Sequence, residues 1–277
     1  MSLELNRETV IQNKKKGIQA INGLLENLID DDNTLKKANL FSHWLKAYAR
    51  MINFEKDFDP KRNTTYKRGD VIKVNFGFRI GSEYGGLHYA IVTDINNQHS
   101  SPVLTVIPLT SNKGKDYGSS CVDLGNELYK LLNMKANLLK NTIQVNRKNV
   151  NDKISPLQAM LEAIEGIDSN EIEITTQEDS IKINKPDIII QLEKLISVFK
   201  KELQKSEKEE IILSKIQKEI SRMKSGSIAI VNQITTISKI RIEDPRNSAG
   251  VLSGINISNE SLDNVNKKIQ ELYVFKK

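Results

Sequence analysis

Strand-like segments occur in two separate parts of this sequence, and their separation constrains the fold more than any other feature. Short β-branched runs bounded by Gly, Asn, Ser or Pro lie within residues 66–125 and again within 226–237. Runs of this length predict short strands joined by loops, which favour a compact barrel. Residues 126–225 show helical spacing instead. The pattern therefore predicts a small β-structure that carries a large helical insertion.

The predicted strands are 71–76, 89–92, 103–109, 119–124 and 227–237. Helical spacing returns in the last residues, behind candidate N-caps at Ser258 and Ser261. The sequence therefore predicts that the second block of strands is followed by a C-terminal helix.

Residues 1–60 predict a helical extension. Apolar residues recur at helical spacing on both sides of a polar break at 30–33, which is typical of an αα-hairpin. Its aromatic residues are expected to pack rather than to bind a ligand, because a helix must bury its apolar face. Pro60 marks the start of a linker, since proline is poorly tolerated inside a helix.

The sequence pattern within the insertion predicts several elements. Residues 128–139 and 157–164 indicate two helices, the second starting at Pro156, and 171–183 alternate weakly like a hairpin. A long helix follows Pro186, with apolar residues every three or four positions. It is either a solvated helix lying along its own domain or a coiled coil that pairs with a second copy or a partner.

The balance of charge favours a polyanionic partner. Lys and Arg number 41 against 35 Asp and Glu, a net charge of +6. Such an excess favours contact with the phosphates of RNA or DNA. Ordinary solvated lysines are an equally good explanation until a motif localises the charge.

Composition also argues against several classes of protein. No apolar run approaches the roughly 20 residues of a membrane helix, and the first residues lack the apolar core of a secretory signal, so we expect a cytoplasmic protein with no membrane contact. The single Cys and the three His lack the spacing of metal ligands, so no metal site is predicted. The sequence has no nucleotide-binding fingerprint, so no cofactor is predicted.

Several short motifs, in order, resemble the PemK/MazF family of toxin endoribonucleases. The motifs are Lys-Arg-Gly-Asp-Val at 67–71, Gly-Ser-Glu-Tyr-Gly-Gly at 81–86, Tyr-Ala-Ile-Val at 89–92, Val-Ile-Pro-Leu-Thr-Ser at 106–111 and Asn-Gln-Ile-Thr-Thr-Ile at 232–237. Each motif alone is weak, but their common order makes the combination specific.

This resemblance implies an α+β fold, an SH3-like small β-barrel of the PemK/MazF type with an N-terminal helical hairpin and a mainly helical insertion. The first part of the barrel would be 66–125, the insertion 126–225, and the last strands with the C-terminal helix 226–277. These bounds leave the helical extension, 1–60, outside the barrel.

The resemblance also implies an activity, that of a type II toxin-antitoxin system toxin. Such a toxin is a sequence-specific, metal-independent endoribonuclease that cuts single-stranded RNA by 2′-hydroxyl attack, leaving 2′,3′-cyclic phosphate and 5′-hydroxyl ends. The implied partners are the RNA substrate, a cognate antitoxin and a second copy in a homodimer.

In the family, an Arg just after the glycine loop and a Thr or Ser at the end of the third strand carry the catalysis. The Thr corresponds to Thr110, but His88 stands at the Arg position and Tyr89 replaces the usual Pro. His88 is either a general acid or base that replaces the Arg, or a structural residue in a barrel that has lost or relocated its catalytic site. The candidate RNA-binding residues are Arg79, Ser82, Glu83, Gly85, Gly86 and Lys113.

Other readings remain open at the level of sequence. The histidine at position 88 leaves room for a non-catalytic toxin on the same barrel that binds a protein target such as DNA gyrase. The added helices suggest a built-in regulatory or assembly module. Tyr84, Tyr89 and Tyr117 are candidates for stacking on unpaired bases, with packing as the alternative for Tyr89.

Overall fold

In the computed structural model, which describes residues 6–175, 180–223 and 226–274, a seven-stranded antiparallel sheet forms the centre of the protein. The strands are β1 Val71–Asn75, β2 Leu87–Val92, β3 Val103–Ser111, β4 Cys121–Asp123, β5 Glu171–Thr175, β6 Ser180–Asn184, β7 Ser227–Ile230, β8 Thr235–Ser238 and β9 Ile242–Asp244. The order across the sheet is β4-β7-β3-β2-β1-β9, β8 also pairs with β3, and β5 and β6 form a separate hairpin.

Helices precede, interrupt and follow the sheet. They are α1 Arg7–Ile29, α2 Leu35–Phe54, α3 Glu127–Glu165, α4 Lys185–Arg222 and α5 Asn259–Tyr273. Ser258 caps α5 by accepting a hydrogen bond from the Ser261 N–H at 3.2 Å, as predicted for a helix start at this position.

The strand β3 holds the sheet together, because it pairs with β2 on one edge and with two strands in turn on the other. Val103 to Val106 pair with β8, and Leu109 to Ser111 pair with β7. Pro108 lies where this second edge passes from β8 to β7. A residue without an N–H fits this place, since a proline inside a continuous ladder would lose a hydrogen bond.

The two faces of the sheet bury separate apolar clusters. Val71 belongs to one cluster and Ile72 to the other, because successive side chains of a strand alternate in direction. The first cluster is covered by helices, through Leu132 of α3, Ile216 of α4 and Val265 of α5. The second is formed mainly by residues of β1, β2, β3, β8 and β9.

The expected barrel is confirmed only in its coarser features. The fold mixes helices with an antiparallel sheet, as expected. However, β4 and β9 end the strand order and do not pair with each other among the described residues, so the structure shows an open sheet rather than a closed SH3-like barrel.

Two sequence predictions about single elements are wrong. The stretch 227–237 is not one strand, because a 3-10 turn at Val231–Gln233 separates β7 from β8. The insertion does not start a new helix at Pro156, which lies inside the continuous helix α3. Proline removes one helical hydrogen bond, but packing against α4 supports the helix on both sides of it.

The long helix α4 packs along α3 of the same chain. Arg147 Nη1 lies 2.7 Å from Glu210 Oε1, and Lys153 Nζ lies 5.4 Å from the centroid of the Phe199 ring. These pairs show that the two helices run antiparallel, with the β5–β6 hairpin joining their distal ends. The partner of α4 is therefore found within its own chain.

The N-terminal helices reach the sheet through aromatic side chains. The Phe41 and Phe78 rings lie 4.8 Å apart, and those of Trp44 and Phe78 lie 6.3 Å apart. A Cβ at Gly77 would lie only 2.7 Å from Trp44 Nε1, so glycine is needed for this approach. In contrast, α1 contains no buried residue. No helix in the part of the chain that the structure describes has the length and apolar character needed to cross a membrane.

We expect Ile216→Ala to reduce the free energy of unfolding by about 2–5 kcal/mol. Ile216 is fully buried where α4 meets the sheet, and truncation would leave a cavity there. Urea denaturation measures the loss. Ile211→Ala is the matched control, because Ile211 lies on the same helix but is 56% exposed, and its loss should stay within about 0.5 kcal/mol. Equal losses in the two variants would show that α4 is not packed on the sheet.

Candidate functional site

An open cleft lies where β2 and β3 part. Its lining combines the start of β2, the end of β3, the start of β7, the last turn of α4 and Lys73 of β1. The lining residues are Lys73, Leu87, His88, Tyr89, Leu109, Thr110, Ser111, Glu219, Arg222, Met223, Gly226 and Ser227. The sequence-predicted residues His88 and Thr110 therefore lie in the same cleft.

The register of the sheet places His88 and Thr110 on one face. β2 and β3 pair from Val92 with Val106 to Ala90 with Pro108, and the ladder ends there. Continuing this register by two residues sets His88 opposite Thr110, and alternation puts both side chains on the face shared by Ala90. The ladder stops before this pair, and both side chains line the cleft.

Tyr84 occupies the place where the β2–β3 ladder would continue. Its hydroxyl donates a hydrogen bond to the carbonyl of Leu109. The Tyr84 ring also packs edge-on against Phe76, with ring centroids 5.5 Å apart. A buried carbonyl must find a donor, and here a side chain takes the role of the neighbouring strand.

His88 is half-buried beside this tyrosine. The His88 and Tyr84 ring centroids lie 4.7 Å apart. Burial lowers the pKa of His88, a hydrogen bond to the Gly85 backbone acts against this, and the charges of Lys113 and Arg79 lower the pKa further. The result is a pKa below the ordinary value of 6.5, so the imidazole is neutral at pH 7.

Thr110 is half-buried on β3, opposite Ile228 of β7. Its side chain hydrogen-bonds the Tyr84 phenol. Burial raises the pKa of Tyr84 to about 12 despite this hydrogen bond. Since the protonated Tyr84 already donates to Leu109, the Thr110 hydroxyl is the donor to the Tyr84 oxygen. Thr110 thus faces the cleft with a hydroxyl that is oriented by its neighbour.

The glycine loop before β2 is held closely to the end of β1. The Gly86 N–H donates to the Gly77 carbonyl at 2.7 Å, and the Phe76 N–H donates to the Gly86 carbonyl at 2.8 Å. A Cβ at Gly85 would lie 2.9 Å from the backbone nitrogen of Arg79. Gly86 has a φ of +92°, which L side chains rarely adopt. Both glycines therefore serve the loop's fold and sit next to His88.

Sequence reasoning did not identify Gln233 as part of this site. Its Oε1 accepts a hydrogen bond from the Tyr84 N–H at 3.3 Å, and its Nε2 donates to the Ser82 carbonyl at 3.4 Å. Gln233 thereby ties the glycine loop to the turn between β7 and β8. Its position in the motif at 232–237 could have indicated a role in the site. The spacing of a motif, however, does not show which residues the side chain contacts.

The remaining predicted RNA-binding residues surround the cleft without lining it. Arg79, Ser82 and Glu83 are exposed on the glycine loop, and Lys113 is exposed after β3. The Glu83 carboxylate accepts a hydrogen bond from the Ile80 N–H at 3.2 Å, so it stabilises the loop. The charges of Arg79 and Lys113 still reach His88.

Helix α4 contributes side chains that the family motifs did not indicate. Glu219 accepts hydrogen bonds from Lys73 Nζ and from the Tyr89 hydroxyl. Burial acts to raise the pKa of Glu219, but these two hydrogen bonds outweigh it and the pKa of Glu219 is lowered. Burial and Glu219 together raise the pKa of Tyr89. β2 and β3 are separated at this point. The cleft is therefore lined both by side chains on the α4 face of the sheet and by those around His88.

Each of the three tyrosines proposed for base stacking has its hydroxyl group bonded within the protein. Tyr84 and Tyr89 bond to Leu109 and Glu219, and the Tyr117 hydroxyl donates to the Ser111 carbonyl at 2.7 Å. Tyr89 packs against the helix-covered core cluster, which agrees with its packing interpretation. Within the described ranges, no group of three or more His, Cys, Asp or Glu side chains is arranged to hold a metal ion.

Comparison with known proteins agrees with the four motifs between 67 and 111, while the motif at 232–237 lies outside the match. Residues 67–173 match the model of the PemK-like, MazF-like toxin of type II toxin-antitoxin systems. A search of curated proteins found no match. The matched range includes β1 to β4 and α3, while β7 to β9 and the last turn of α4 lie beyond it. Residues 67–173 of the chain are therefore similar to the PemK-like, MazF-like toxins of type II toxin-antitoxin systems.

Proposed function

We propose that the protein is the toxin of a type II toxin-antitoxin system and that it acts as a sequence-specific endoribonuclease on single-stranded RNA. The observation that supports this most directly is the shared cleft of His88 and Thr110, which lie on one face of the sheet where the β2–β3 ladder ends. A neutral imidazole and an oriented hydroxyl are groups that phosphodiester transfer can use.

The proposed reaction is a transesterification within the RNA. The 2′-hydroxyl oxygen attacks the adjacent phosphorus, the O2′–P bond forms and the P–O5′ bond breaks. The proton of the 2′-hydroxyl passes to the neutral imidazole of His88, the leaving 5′ oxygen takes up a proton from water, and His88 then returns its proton to the solvent. The products are a 2′,3′-cyclic phosphate and a 5′-hydroxyl, and the electron count needs no oxidant, reductant or metal ion.

Thr110 has a positioning role in this scheme. Its hydroxyl can donate to a non-bridging phosphate oxygen once the substrate displaces its bond to Tyr84. Hydrogen-bond donors aimed at the charge that develops in the transition state are worth most where water is excluded. Arg79 and Lys113, exposed beside the cleft, would attract the RNA backbone and guide it toward His88.

The family implies an antitoxin as partner, and we propose a second copy of the chain as a further one. Large apolar side chains remain exposed on the helices, including Ile18 at 60% and Leu138 at 70%, and such residues can form protein interfaces. We place the activity in the cytoplasm, where mRNA is the available single-stranded RNA.

We expect the purified protein to cut a fluorescent single-stranded RNA pool in the presence of EDTA, and both His88→Ala and Thr110→Ala to lose most of this activity. Removing a general base typically costs about 10²- to 10⁴-fold in rate. Gel analysis with end-group chemistry should show cyclic phosphate ends in the wild-type reaction.

His99→Ala is the matched control for this assay, because His99 is exposed and its ring bonds to the Asn63 carbonyl, outside the cleft. It should cut like the wild type. If expression stops growth while the RNA pool stays intact, the nuclease assignment is wrong and a non-catalytic toxin that acts on a protein target is favoured.

We expect kcat/KM to rise with pH through the pKa of His88 and to level off before neutral pH. The rate should rise with pH because a base works in its neutral form. It should level off before neutral pH because the pKa of His88 lies below its ordinary value. Lys113→Ala removes one of the charges that lower this pKa and should move the inflection to higher pH. Imidazole NMR titration and rate profiles should shift together.

Lys115→Ala provides the control for this shift, because Lys115 lies on the same loop but is not among the charges that act on His88. Its profile should match that of the wild type. An inflection in the wild-type profile that does not coincide with the titration of His88 would exclude this residue as the base.

A further inference from the structure

Arg222 brings a permanent charge into the cleft from outside the family-matched range. It is the last residue of α4 and lines the cleft together with His88 and Thr110. It lies far beyond residue 173, where the match to the toxin family ends. Its side chain is exposed to solvent and so accessible to a substrate.

The last turn of α4 is anchored on both sides of this arginine. One turn before it, Glu219 is bonded to Lys73 of β1 and Tyr89 of β2. After it, the Gly226 N–H donates to Asn126 Oδ1 at 2.7 Å. The backbone carbonyl of Gly226 also accepts the N–H of Asn112 at 3.1 Å, two residues beyond Thr110. These contacts hold the Arg222 backbone at the cleft.

The distribution of charge leaves this guanidinium available to an anion. Glu219 is paired with Lys73, so neither of these charges is free to bind a phosphate. Arg222 influences Glu219 only through longer-range electrostatics, and within the described residues its guanidinium makes no hydrogen bond or ion pair. An arginine without a carboxylate partner, held in a cleft, suits a phosphate group, which it can bind with two parallel hydrogen bonds.

The neutral state of His88 makes a separate cation necessary. A base that accepts the 2′ proton cannot also supply the permanent positive charge that stabilises a phosphorane. Arg79 and Lys113 are exposed outside the cleft lining. Arg222 is the lining cation that forms no ion pair with a carboxylate, among the residues that the structure describes.

We propose that Arg222 binds the scissile phosphodiester of the RNA and stabilises its charge in the transition state, so that the inserted helical hairpin completes the active site. This inference rests on the proposed nuclease function, and it assigns the phosphate-binding role to a residue of the insertion. The α3–α4 pair then has a catalytic as well as a structural purpose, since it carries Arg222 to the gap between β2 and β3.

The test compares Arg222→Ala and Arg222→Lys with the wild-type full-length protein. Loss of one donor to the developing charge should lower kcat/KM by about 100- to 1000-fold. The Lys variant should recover part of this loss, because it keeps the charge but not the planar fork. Lys218→Ala is the matched control, since it removes the same charge from the exposed side of the same helix and should cut like the wild type.

A second readout measures binding separately from cutting. A single-stranded oligonucleotide with 2′-deoxyribose throughout cannot undergo the reaction, and its affinity can be followed against salt concentration. Removing one phosphate contact should reduce the slope of log affinity against log salt by about 0.7 in Arg222→Ala. Thermal unfolding should be unchanged, which separates this effect from a structural role.

The outcomes separate the two proposals. If the wild type cuts RNA but Arg222→Ala matches Lys218→Ala in rate and salt slope, the role of Arg222 is overturned while the nuclease assignment stands. If the wild type cuts nothing but Arg222→Ala has the reduced slope, the phosphate contact stands and the nuclease assignment fails. If the wild type neither cuts nor binds, both are overturned.

Discussion

The separation of β2 from β3 after Pro108 is the constraint on which the site depends. An antiparallel ladder that continued would bring His88 and Thr110 into contact and leave no room for a ligand. At the separation, the Tyr84 hydroxyl donates to the Leu109 carbonyl in place of β2, while the opposite edge of β3 pairs with β7.

The path of the hairpin of α3 and α4 explains how α4 reaches this cleft. β4 and β7 pair although α3, the β5–β6 hairpin and α4 lie between them in the chain, so the helical hairpin leaves the sheet and returns to it at nearly the same place. The return point is where Glu219 bonds to Lys73 and Tyr89. The hairpin of α3 and α4 thereby contributes directly to the surface around His88 and Thr110.

Local signals predicted the strands β1 to β3, the N-terminal helices and the capped helix α5, because β-branched runs and helical spacing report local structure. They failed at Pro156 and within 227–237, where packing of α3 on α4 and the switch of β3 between partners override local preference. His88 and Thr110 were found through family motifs. Glu219, Arg222 and Gln233 were missed, because contacts between residues distant in sequence leave no spacing to read.

The most direct test of the central claim is a crystal structure with a single-stranded RNA that carries 2′-deoxyribose only at the cleavage site. We expect the phosphate at that site to lie between the His88 imidazole and the Thr110 hydroxyl, with the bond between Thr110 and Tyr84 broken. RNA bound along the α3–α4 hairpin, with the gap between β2 and β3 empty, would contradict this account.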